Sequence, residues 1–295
     1  MVEDKICSKC KEKKSTSEFS KHKSAKDGYR GECKKCDNQS RKLRHTNKNS
    51  IVTILNYGDL HIPREDKGCR ELLLKFAKAL QPDMIVDLGD LLNNEAVSKF
   101  PKDPSKTPTI MQELVAGREW LYQITEACPK SEKVLILGNH DWRIIKHCWD
   151  HPELVGLLDI RKELHLDKLG WKVFDYGLAF EFRGFVFTHG KLYRKHSGYT
   201  AKAMIETYNI SGASGHTHRA GVSYKTDYLG TRAWWESGCL CNFNLAYEWW
   251  QDPNPNWQHA INVIKFFDKQ KFHVDQIPIP KQDKFIFYNN KYYTL

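Results

Sequence analysis

Apolar runs typical of buried strands alternate with segments of helical spacing from residue 51 onward. The first three runs are Ile51–Leu55, Met84–Leu88 and Val134–Leu137. Between them, Glu65–Leu80 and Thr109–Cys128 carry apolar residues at helical spacing, and each stops before a proline. This order predicts an α/β domain in which helices cover the sheets.

The rest of the chain is predicted to be a helix-rich insert followed mainly by strands. The predicted elements are the insert over 142–169, strands through Val173, over 179–182 and over 185–188, a helix over 199–208, and aromatic-rich strands beyond it. The segments Lys284–Tyr288 and Lys291–Thr294 are separated by Asn289-Asn290, which favours a hairpin with a type I′ turn.

The first 50 residues differ in composition from everything that follows. They are rich in Lys and Ser and low in aliphatic residues, and Ser40–Ser50 is typical of a linker. We predict a small module over 1–48 and a large domain over 49–295. The net charge is +10, and residues 1–50 alone hold 15 Lys and Arg against 7 Asp and Glu. A basic excess confined to one segment favours a polyanionic partner. The alternative is that these charges only face solvent and keep the chain soluble.

Cysteine usage and the shortness of the apolar runs restrict the class of protein. No run approaches the ~20 residues that would cross a bilayer, and the N-terminus is charged from Glu3 onward. Nine cysteines, with two Cys-x-x-Cys pairs, indicate metal binding and free thiols rather than a disulfide framework. We expect a cytoplasmic protein without a membrane partner, in the host cytoplasm if a phage encodes it. Five cysteines are expected to be packing residues: Cys69, Cys128, Cys148, Cys239 and Cys241.

A carboxylate, amide or imidazole stands beside a glycine after each of five apolar runs. Glycine there permits a tight turn, so several side chains can point into one cleft. The groups are Gly58-Asp59-Leu60-His61, Gly89-Asp90, Gly138-Asn139-His140-Asp141, His189-Gly190 and Gly215-His216-Thr217-His218. In Asp59-x-His61 and in His216-x-His218, the alternating direction of side chains along an extended segment puts the two polar side chains on one face. Mixed carboxylate and imidazole ligands favour a pair of Mn, Fe, Zn or Co ions over Mg or Ca.

These groups resemble the calcineurin-like metallophosphoesterase superfamily, whose signature is D-x-H, GD, GNH[DE], H and GH-x-H. The resemblance covers about residues 51–265, and every signature position is filled. It implies an α/β fold, a β-sandwich flanked by helices, with a dinuclear metal centre at one edge and a bridging solvent hydroxide as nucleophile. It also implies how the ligands divide: Asp59, His61 and His218 on one ion, Asn139, His189 and His216 on the other, and Asp90 bridging both.

Two such ions suit phosphate esters on physical grounds. Cations about 3.5–4 Å apart bind phosphoryl oxygens, offset developing charge and lower the pKa of bound water towards about 7. The resemblance gives His140 the role of protonating or stabilising the leaving oxygen, with Asp141 available to orient it. Arg143 is a candidate for substrate contact, with a surface role as the alternative, and Tyr193, Arg194 and His196, which follow His189, are further candidates for lining the substrate cleft.

The N-terminal cysteines have the spacing of a structural zinc site. Cys7-x-x-Cys10 and Cys33-x-x-Cys36 supply four thiolates for one tetrahedral Zn²⁺. A polar segment of under 50 residues has too little apolar surface to fold alone. The bound metal would therefore supply the stability of the fold. The segment also resembles small zinc ribbons common in bacteriophage proteins. That resemblance implies contact with nucleic acid; contact with a protein is the alternative.

Together these features predict a dinuclear metal-dependent phosphoesterase, and a phosphodiesterase or nuclease acting on DNA or RNA is the leading interpretation. One alternative is a phosphomonoesterase whose zinc module docks a partner. The other is a metal-stabilised scaffold without activity. The late tryptophans could stack on a base, but core packing is favoured for them: Trp234, Trp235, Trp249, Trp250 and Trp257.

Overall fold

A computed structural model describes residues 4–8, 12–22, 25, 27–36, 51–246, 255–268 and 270–295. The chain divides into two compact units, Met1–Ile51 and Val52–Leu295, which we describe separately. The predicted linker over 40–50, the predicted zinc ligand Cys10 and the pair Trp249-Trp250 lie outside the described residues.

The N-terminal unit contains two short antiparallel hairpins. Its strands are β1 (Asp4–Ile6), β2 (Lys13–Ser15), β3 (Phe19–Lys21) and β4 (Tyr29–Cys33), paired in that order. The thiols of Cys7, Cys33 and Cys36 lie within 4.8 Å of one another, and Phe19 packs against them. The Cys33 N–H donates to the Cys7 sulfur at 3.2 Å. This cluster is compatible with the predicted zinc ribbon.

The large unit contains a six-stranded sheet, a five-stranded sheet and a two-stranded hairpin, and five α-helices lie wholly within its described residues. Its strands are β5 (Val52–Tyr57), β6 (Met84–Asp87), β7 (Glu132–Ile136), β8 (Trp171–Phe174), β9 (Ala179–Phe182), β10 (Phe185–Thr188), β11 (Ser211–Ser214), β12 (Ala220–Asp227), β13 (Gly230–Ser237), β14 (His259–Phe266), β15 (Phe272–Ile279), β16 (Phe285–Tyr288) and β17 (Lys291–Thr294). Its helices are α1 (Lys67–Leu80), α2 (Ile110–Ala127), α3 (Trp142–Asp150), α4 (Ile160–Glu163) and α5 (Tyr199–Tyr208).

Parallel strands make up most of both large sheets. The six-stranded sheet has the order β15-β14-β5-β6-β7-β8, and β5 to β8 are parallel. The five-stranded sheet has the order β12-β13-β11-β10-β9, and β13, β11 and β10 are parallel. Because parallel strands end at the same edge of a sheet, the loops after β5, β6 and β7 emerge side by side. The loops after β10 and β11 do the same in the second sheet.

Apolar side chains hold these layers together on both faces of each sheet. Val86 and Phe187 belong to a buried cluster between the two sheets. Phe76 of α1 and Trp120 of α2 belong to the cluster on the outer face of the first sheet. On the outer face of the second sheet, Trp234 packs with α5. The predicted α/β sandwich flanked by helices is confirmed.

Local signals in the sequence explain where several elements begin and turn. The Thr109 N–H donates to Gln112 Oε1 at 2.8 Å, and the Gln112 N–H donates to Thr109 Oγ1 at 3.3 Å, which forms a capping box at the start of α2. Strands β16 and β17 pair around Asn289 and Asn290, whose φ values of +49° and +58° are those of the predicted type I′ turn. No helix in the described ranges is long and apolar enough to cross a membrane.

Candidate active site

The structure brings the seven predicted metal ligands together where five parallel strands end. Asp59 and His61 follow β5, Asp90 follows β6, Asn139 follows β7, His189 follows β10, and His216 and His218 follow β11. Both sheets therefore contribute side chains to a single site. Asp59, His61, Asp90, His189 and His218 are buried, and Asn139 and His216 are partly buried.

Asp90 belongs to two groups of side chains that could each hold a metal ion. Ligand atoms of Asp59, His61, Asp90 and His218 lie within 4.8 Å of one another, and so do those of Asp90, His189 and His216. One oxygen of Asp90 is 3.6 Å from His61 Nε2 and 3.5 Å from His189 Nε2. A single carboxylate therefore lies between imidazoles of both groups, as a ligand shared by two cations must.

The other ligand atoms converge at similar distances. The Nε2 atoms of His61 and His218 are 3.0 Å apart, and His218 Nε2 is 3.3 Å from Asp59 Oδ1. The amide oxygen of Asn139 is 3.0 Å from His189 Nε2. Oxygen and imidazole nitrogen atoms gathered in this way are suitable ligands for Mn, Fe, Zn or Co.

Contacts behind the ligands fix their orientation. His189 Nδ1 donates to the carbonyl oxygen of Leu88 at 2.9 Å, so Nε2 keeps its lone pair for the site. The His216 N–H donates to both oxygens of Asp59, at 3.1 and 3.0 Å. His218 Nδ1 lies 3.8 Å from the sulfur of Cys241. All five predicted packing cysteines are buried, but Cys241 also supports a ring of the site.

Five of the seven side chains sit on backbone that L-residues rarely adopt. The φ values are +53° at Asp59, +54° at His61, +49° at Asp90, +72° at His216 and +59° at His218. Left-handed backbone at a residue other than glycine costs roughly 1–2 kcal/mol. Strain of this kind persists where the surrounding structure fixes it, and it is concentrated at functional sites.

Two glycines leave the space that the carboxylates occupy. A Cβ atom on Gly215 would lie 2.5 Å from Asp59 Oδ2, and one on Gly138 would overlap with Asp90. Neither glycine has a positive φ, so close approach, and not backbone freedom, requires glycine here. The donor atoms and the space around them fit a pair of metal ions.

Burial favours the neutral imidazoles that metals bind. It lowers the pKa of His216 to about 3. Burial, followed by the charge of His140, holds the pKa of His61 well below its usual value. Burial also raises the pKa of Asp90. Metal ions bound here would offset that cost, because cations favour an ionised carboxylate.

His140 is fixed by contacts different from the predicted one. Its Nδ1 donates to the carbonyl oxygen of Asn93 at 2.9 Å, and its Nε2 is 3.1 Å from a guanidinium nitrogen of Arg143. Asp141 instead accepts from the backbone N–H groups of Leu92 and Gly138, both at 2.9 Å. The prediction that Asp141 orients the His140 ring is therefore wrong: Asp141 joins the loops after β6 and β7, and Asn93 and Arg143 orient the ring.

A cavity of about 800 Å³ opens over the site. Its lining includes Asp90, Asn139, His140, His216 and His218 from the predicted set, together with Arg143. Phe100, Lys102, Tyr193 and Trp257 complete much of the wall. His196 is exposed and is not part of this lining, so the structure does not place it at the site. Of the three candidates after His189, Tyr193 is the one in the cavity wall.

Sequence reasoning missed several residues around the site. The Asn93 carbonyl carries no side-chain signal, and Phe100 and Lys102 lie in a loop with no recognisable motif. Arg219, directly after the ligand motif, could have been singled out. A second mixed group, Asp66, Cys69 and His259, has a structural explanation because Asp66 caps α1 and pairs with Lys284 at 3.2 Å.

Proteins of two mycobacteriophages match about three quarters of the chain. It is 26% identical over 228 residues to the Gene 54 protein of Mycobacterium phage D29, covering 72% of this chain and 88% of that protein. It is also 26% identical over 247 residues to the Gene 54 protein of Mycobacterium phage L5, covering 77% of this chain and 93% of that one.

Alignments with solved structures have low TM-scores and low sequence identities. Vacuolar Protein Sorting 29 from Cryptosporidium parvum aligns with a TM-score of 0.42 at 11% identity, covering 83% of this chain and 96% of that one. YfcE, a phosphoesterase from E. coli, aligns with a TM-score of 0.38 at 14% identity, covering 77% and 98%. Residues 52–277 match the sequence profile of the calcineurin-like phosphoesterases. That match spans both sheets and every residue of the site, and this chain belongs to the calcineurin-like phosphoesterase family.

Proposed function

We propose that this protein is a dinuclear metal-dependent phosphodiesterase that hydrolyses nucleic acid. The position of Asp90 carries the proposal, because one of its oxygens lies within 3.6 Å of a ring nitrogen in each of two separate ligand groups. One carboxylate between two such groups supports two ions held close together, and that arrangement suits in-line displacement at phosphorus.

The ligands would divide between two ions as follows. Asp59, His61 and His218 would hold one ion, and Asn139, His189 and His216 would hold the other. Asp90 would contribute to both. When bound, the pair supplies Lewis acidity, which lowers the pKa of a shared water and offsets charge on the phosphoryl oxygens. The protein contributes fixed ligand directions, through the Leu88 carbonyl behind His189 and the His216 N–H group that holds Asp59.

His140 and Arg143 form the adjoining wall of the cavity. Arg143 presents a guanidinium that can contact a non-bridging phosphate oxygen while it touches the His140 ring. His140 Nε2 faces the same cavity. Because Nδ1 already donates to Asn93, Nε2 can donate to the leaving oxygen only in the doubly protonated ring. Burial and the charge of Arg143 lower the pKa of His140, and an anionic phosphate in the cavity would offset that effect. The Asn93 carbonyl accepts a hydrogen bond from both side chains, at 2.9 Å each, and so fixes their positions relative to each other.

Size and charge support a polymeric substrate. A cavity of about 800 Å³ accommodates a nucleotide-sized portion of a ligand. Lys102 and Arg143 add positive charge to its wall. The N-terminal 50 residues hold 15 Lys and Arg against 7 Asp and Glu, which suits salt-dependent contact with a phosphate backbone. One zinc ion on Cys7, Cys10, Cys33 and Cys36 would stabilise that module.

A substrate panel tests the proposed reaction. The purified chain with Mn²⁺ is assayed on a phosphomonoester, a small phosphodiester, and single- and double-stranded DNA and RNA. We expect cleavage of diesters and of at least one nucleic acid. Hydrolysis of monoesters alone would reject the nuclease function and leave the phosphomonoesterase. Inactivity on every ester with both metal ions bound would reject an enzymatic function and leave the metal-stabilised scaffold.

A charge-neutralising variant tests the N-terminal module. Lys21 and Lys35 are exposed there. Replacing both with Gln should reduce the slope of log affinity against log salt by about 1 for each phosphate group that the variant no longer touches. Lys78→Gln, on the exposed face of α1, is the matched control and should leave that slope unchanged. An unchanged slope in the double variant would assign nucleic-acid binding to another surface.

The role of His140 has its own test. His140→Ala should lower kcat by about 10²–10⁴-fold, the range for loss of a positioned proton donor, while both metal ions stay bound. Metal content measured on the variant decides between the two roles: loss of an ion would make His140 a ligand.

A further inference from the structure

We propose that Tyr193, held in place by the buried Arg219, is a base-stacking residue that makes the site prefer unpaired nucleotides. The inference rests on the proposed function and deepens it, because it names the form of nucleic acid that the cavity accepts. Nothing in the metal-ligand motifs requires either residue.

Tyr193 stands at the mouth of the cavity beside the ligands that follow β11. It lines the cavity together with His216, Thr217 and His218, and it is 47% exposed. A half-exposed aromatic ring next to a catalytic centre can receive a base, because every base has a π-face.

Arg219 fixes this ring from behind. One of its guanidinium nitrogens donates to Tyr193 Oη at 2.6 Å, and its Cζ lies 4.5 Å from the ring centroid. The guanidinium therefore covers one face of the ring and holds the hydroxyl at the same time. A ring fixed in this way loses little conformational freedom when a ligand stacks on its open face.

The charge on Arg219 is unusual for so buried a residue. Arg219 is only 5% exposed. Within the described part of the chain it makes no ion pair with a carboxylate. Its Nε also has no hydrogen-bond partner there. The nearby Glu236 carboxylate is engaged by the Ala201 N–H and the Thr217 hydroxyl. Its guanidinium is thus committed to the Tyr193 side chain, which it contacts at the hydroxyl and over the ring.

The two features together favour single strands. Lys102 and Arg143 in the cavity wall attract a phosphate backbone, while the Tyr193 ring can stack only on a base that has left its neighbours. Within a duplex, the bases are already stacked and paired, so reaching the ring carries an unstacking cost. Single-stranded DNA or RNA avoids that cost.

The test compares an oligothymidylate with a backbone of the same length that has no bases. We expect the wild-type chain to bind the oligothymidylate with the lower KM. Tyr193→Leu should raise KM for the oligothymidylate roughly 5- to 150-fold, the range for loss of one base–aromatic stack, and should change KM for the abasic backbone far less. Tyr193→Phe keeps the ring but loses the bond to Arg219, so its KM should rise by less than that of Tyr193→Leu.

A surface tyrosine supplies the matched control. Tyr199 is 60% exposed and lies outside the cavity lining, so Tyr199→Leu should behave as the wild type. Equal changes on both substrates in Tyr193→Leu would show a structural role and overturn the stacking proposal. A wild-type chain that cleaves nucleic acid but prefers duplex would also overturn it. A wild-type chain that cleaves no nucleic acid would instead overturn the proposed function.

Discussion

Replacing Gly215 with alanine tests whether the fixed position of Asp59 matters for activity. The new Cβ atom would lie 2.5 Å from Asp59 Oδ2, and its distance to His189 Nδ1 would be 3.5 Å. Ordinary van der Waals contact begins at 3.4 Å, so the carboxylate has to move by about 0.9 Å. That movement weakens the two bonds that Asp59 accepts from the His216 N–H.

The magnitude follows from the displacement. A misplacement of about 1 Å at a catalytic group costs about 10²-fold in rate, which corresponds to about 2.7 kcal/mol of transition-state stabilisation. We therefore expect kcat/KM for a small phosphodiester to fall about 100-fold in Gly215→Ala, together with a weaker affinity for the metal ion that Asp59 binds.

The control is Gly68→Ala in α1. Its Cβ would meet only the flexible side chains of Lys284 and Leu295, at 3.0 and 3.3 Å, and the Asp66 carboxylate at 3.4 Å. An alanine inside a helix gains about 0.5–1 kcal/mol over glycine, so activity should be kept. Circular dichroism verifies that both variants fold. A folded Gly215→Ala protein with kcat/KM close to that of the wild type would refute the assignment of Asp59 as a ligand held in place by close packing.

Three further predictions concern stability. Thr109→Ala removes the capping box of α2 and should cost about 1 kcal/mol, which lowers Tm by about 2–4 °C in a unit of this size; an unchanged Tm would contradict it. Burial raises the pKa of Glu113 from 4.5 to about 7, so folding stability should fall as pH rises from about 4.5 to 7, by roughly 3 kcal/mol. Other buried carboxyls, Asp141 among them, have raised pKa values in the same range, so urea titrations should show a slope in Glu113→Gln that is smaller than in the wild type by that amount, and an equal slope in both would exclude a contribution from Glu113. Saturating the centre with Mn²⁺ at about 100 times Kd should raise the free energy of unfolding by about 2.7 kcal/mol per ion, a gain that a chelator should reverse and that Asp90→Asn should reduce.

The sequence predicted the order of elements well because the strands are short, buried on both faces and strongly apolar. Strand β10 and helix α5 have the predicted bounds, and α1 and α2 differ from prediction by one or two residues at their ends. The insert over 142–169 was less predictable. It consists of short helices, too short for a clear helical period: α3 and α4 are separated by a 3₁₀ helix at Pro152–Leu154.

The ligand set was visible in the sequence because each motif combines a glycine with a polar residue at a strand end. Contacts made by backbone atoms were not visible. No side chain indicates that the Asn93 carbonyl orients His140, or that Asp141 joins two loops through the N–H groups of Leu92 and Gly138. Tyr193 and His196 are close in the sequence, and only the path of the chain after β10 determines which of them reaches the cavity.

The metal centre crosses the boundary between the two sheets of the sandwich. Asp59, Asp90 and Asn139 come from the first sheet, while His189 and His216 come from the second. During synthesis, the ligands of the first sheet emerge well before those of the second, so neither ion can acquire its full coordination until the second sheet has docked. Ions bound there would join the two sheets at this edge, so metal binding, and any activity that depends on it, would follow the completion of the tertiary fold.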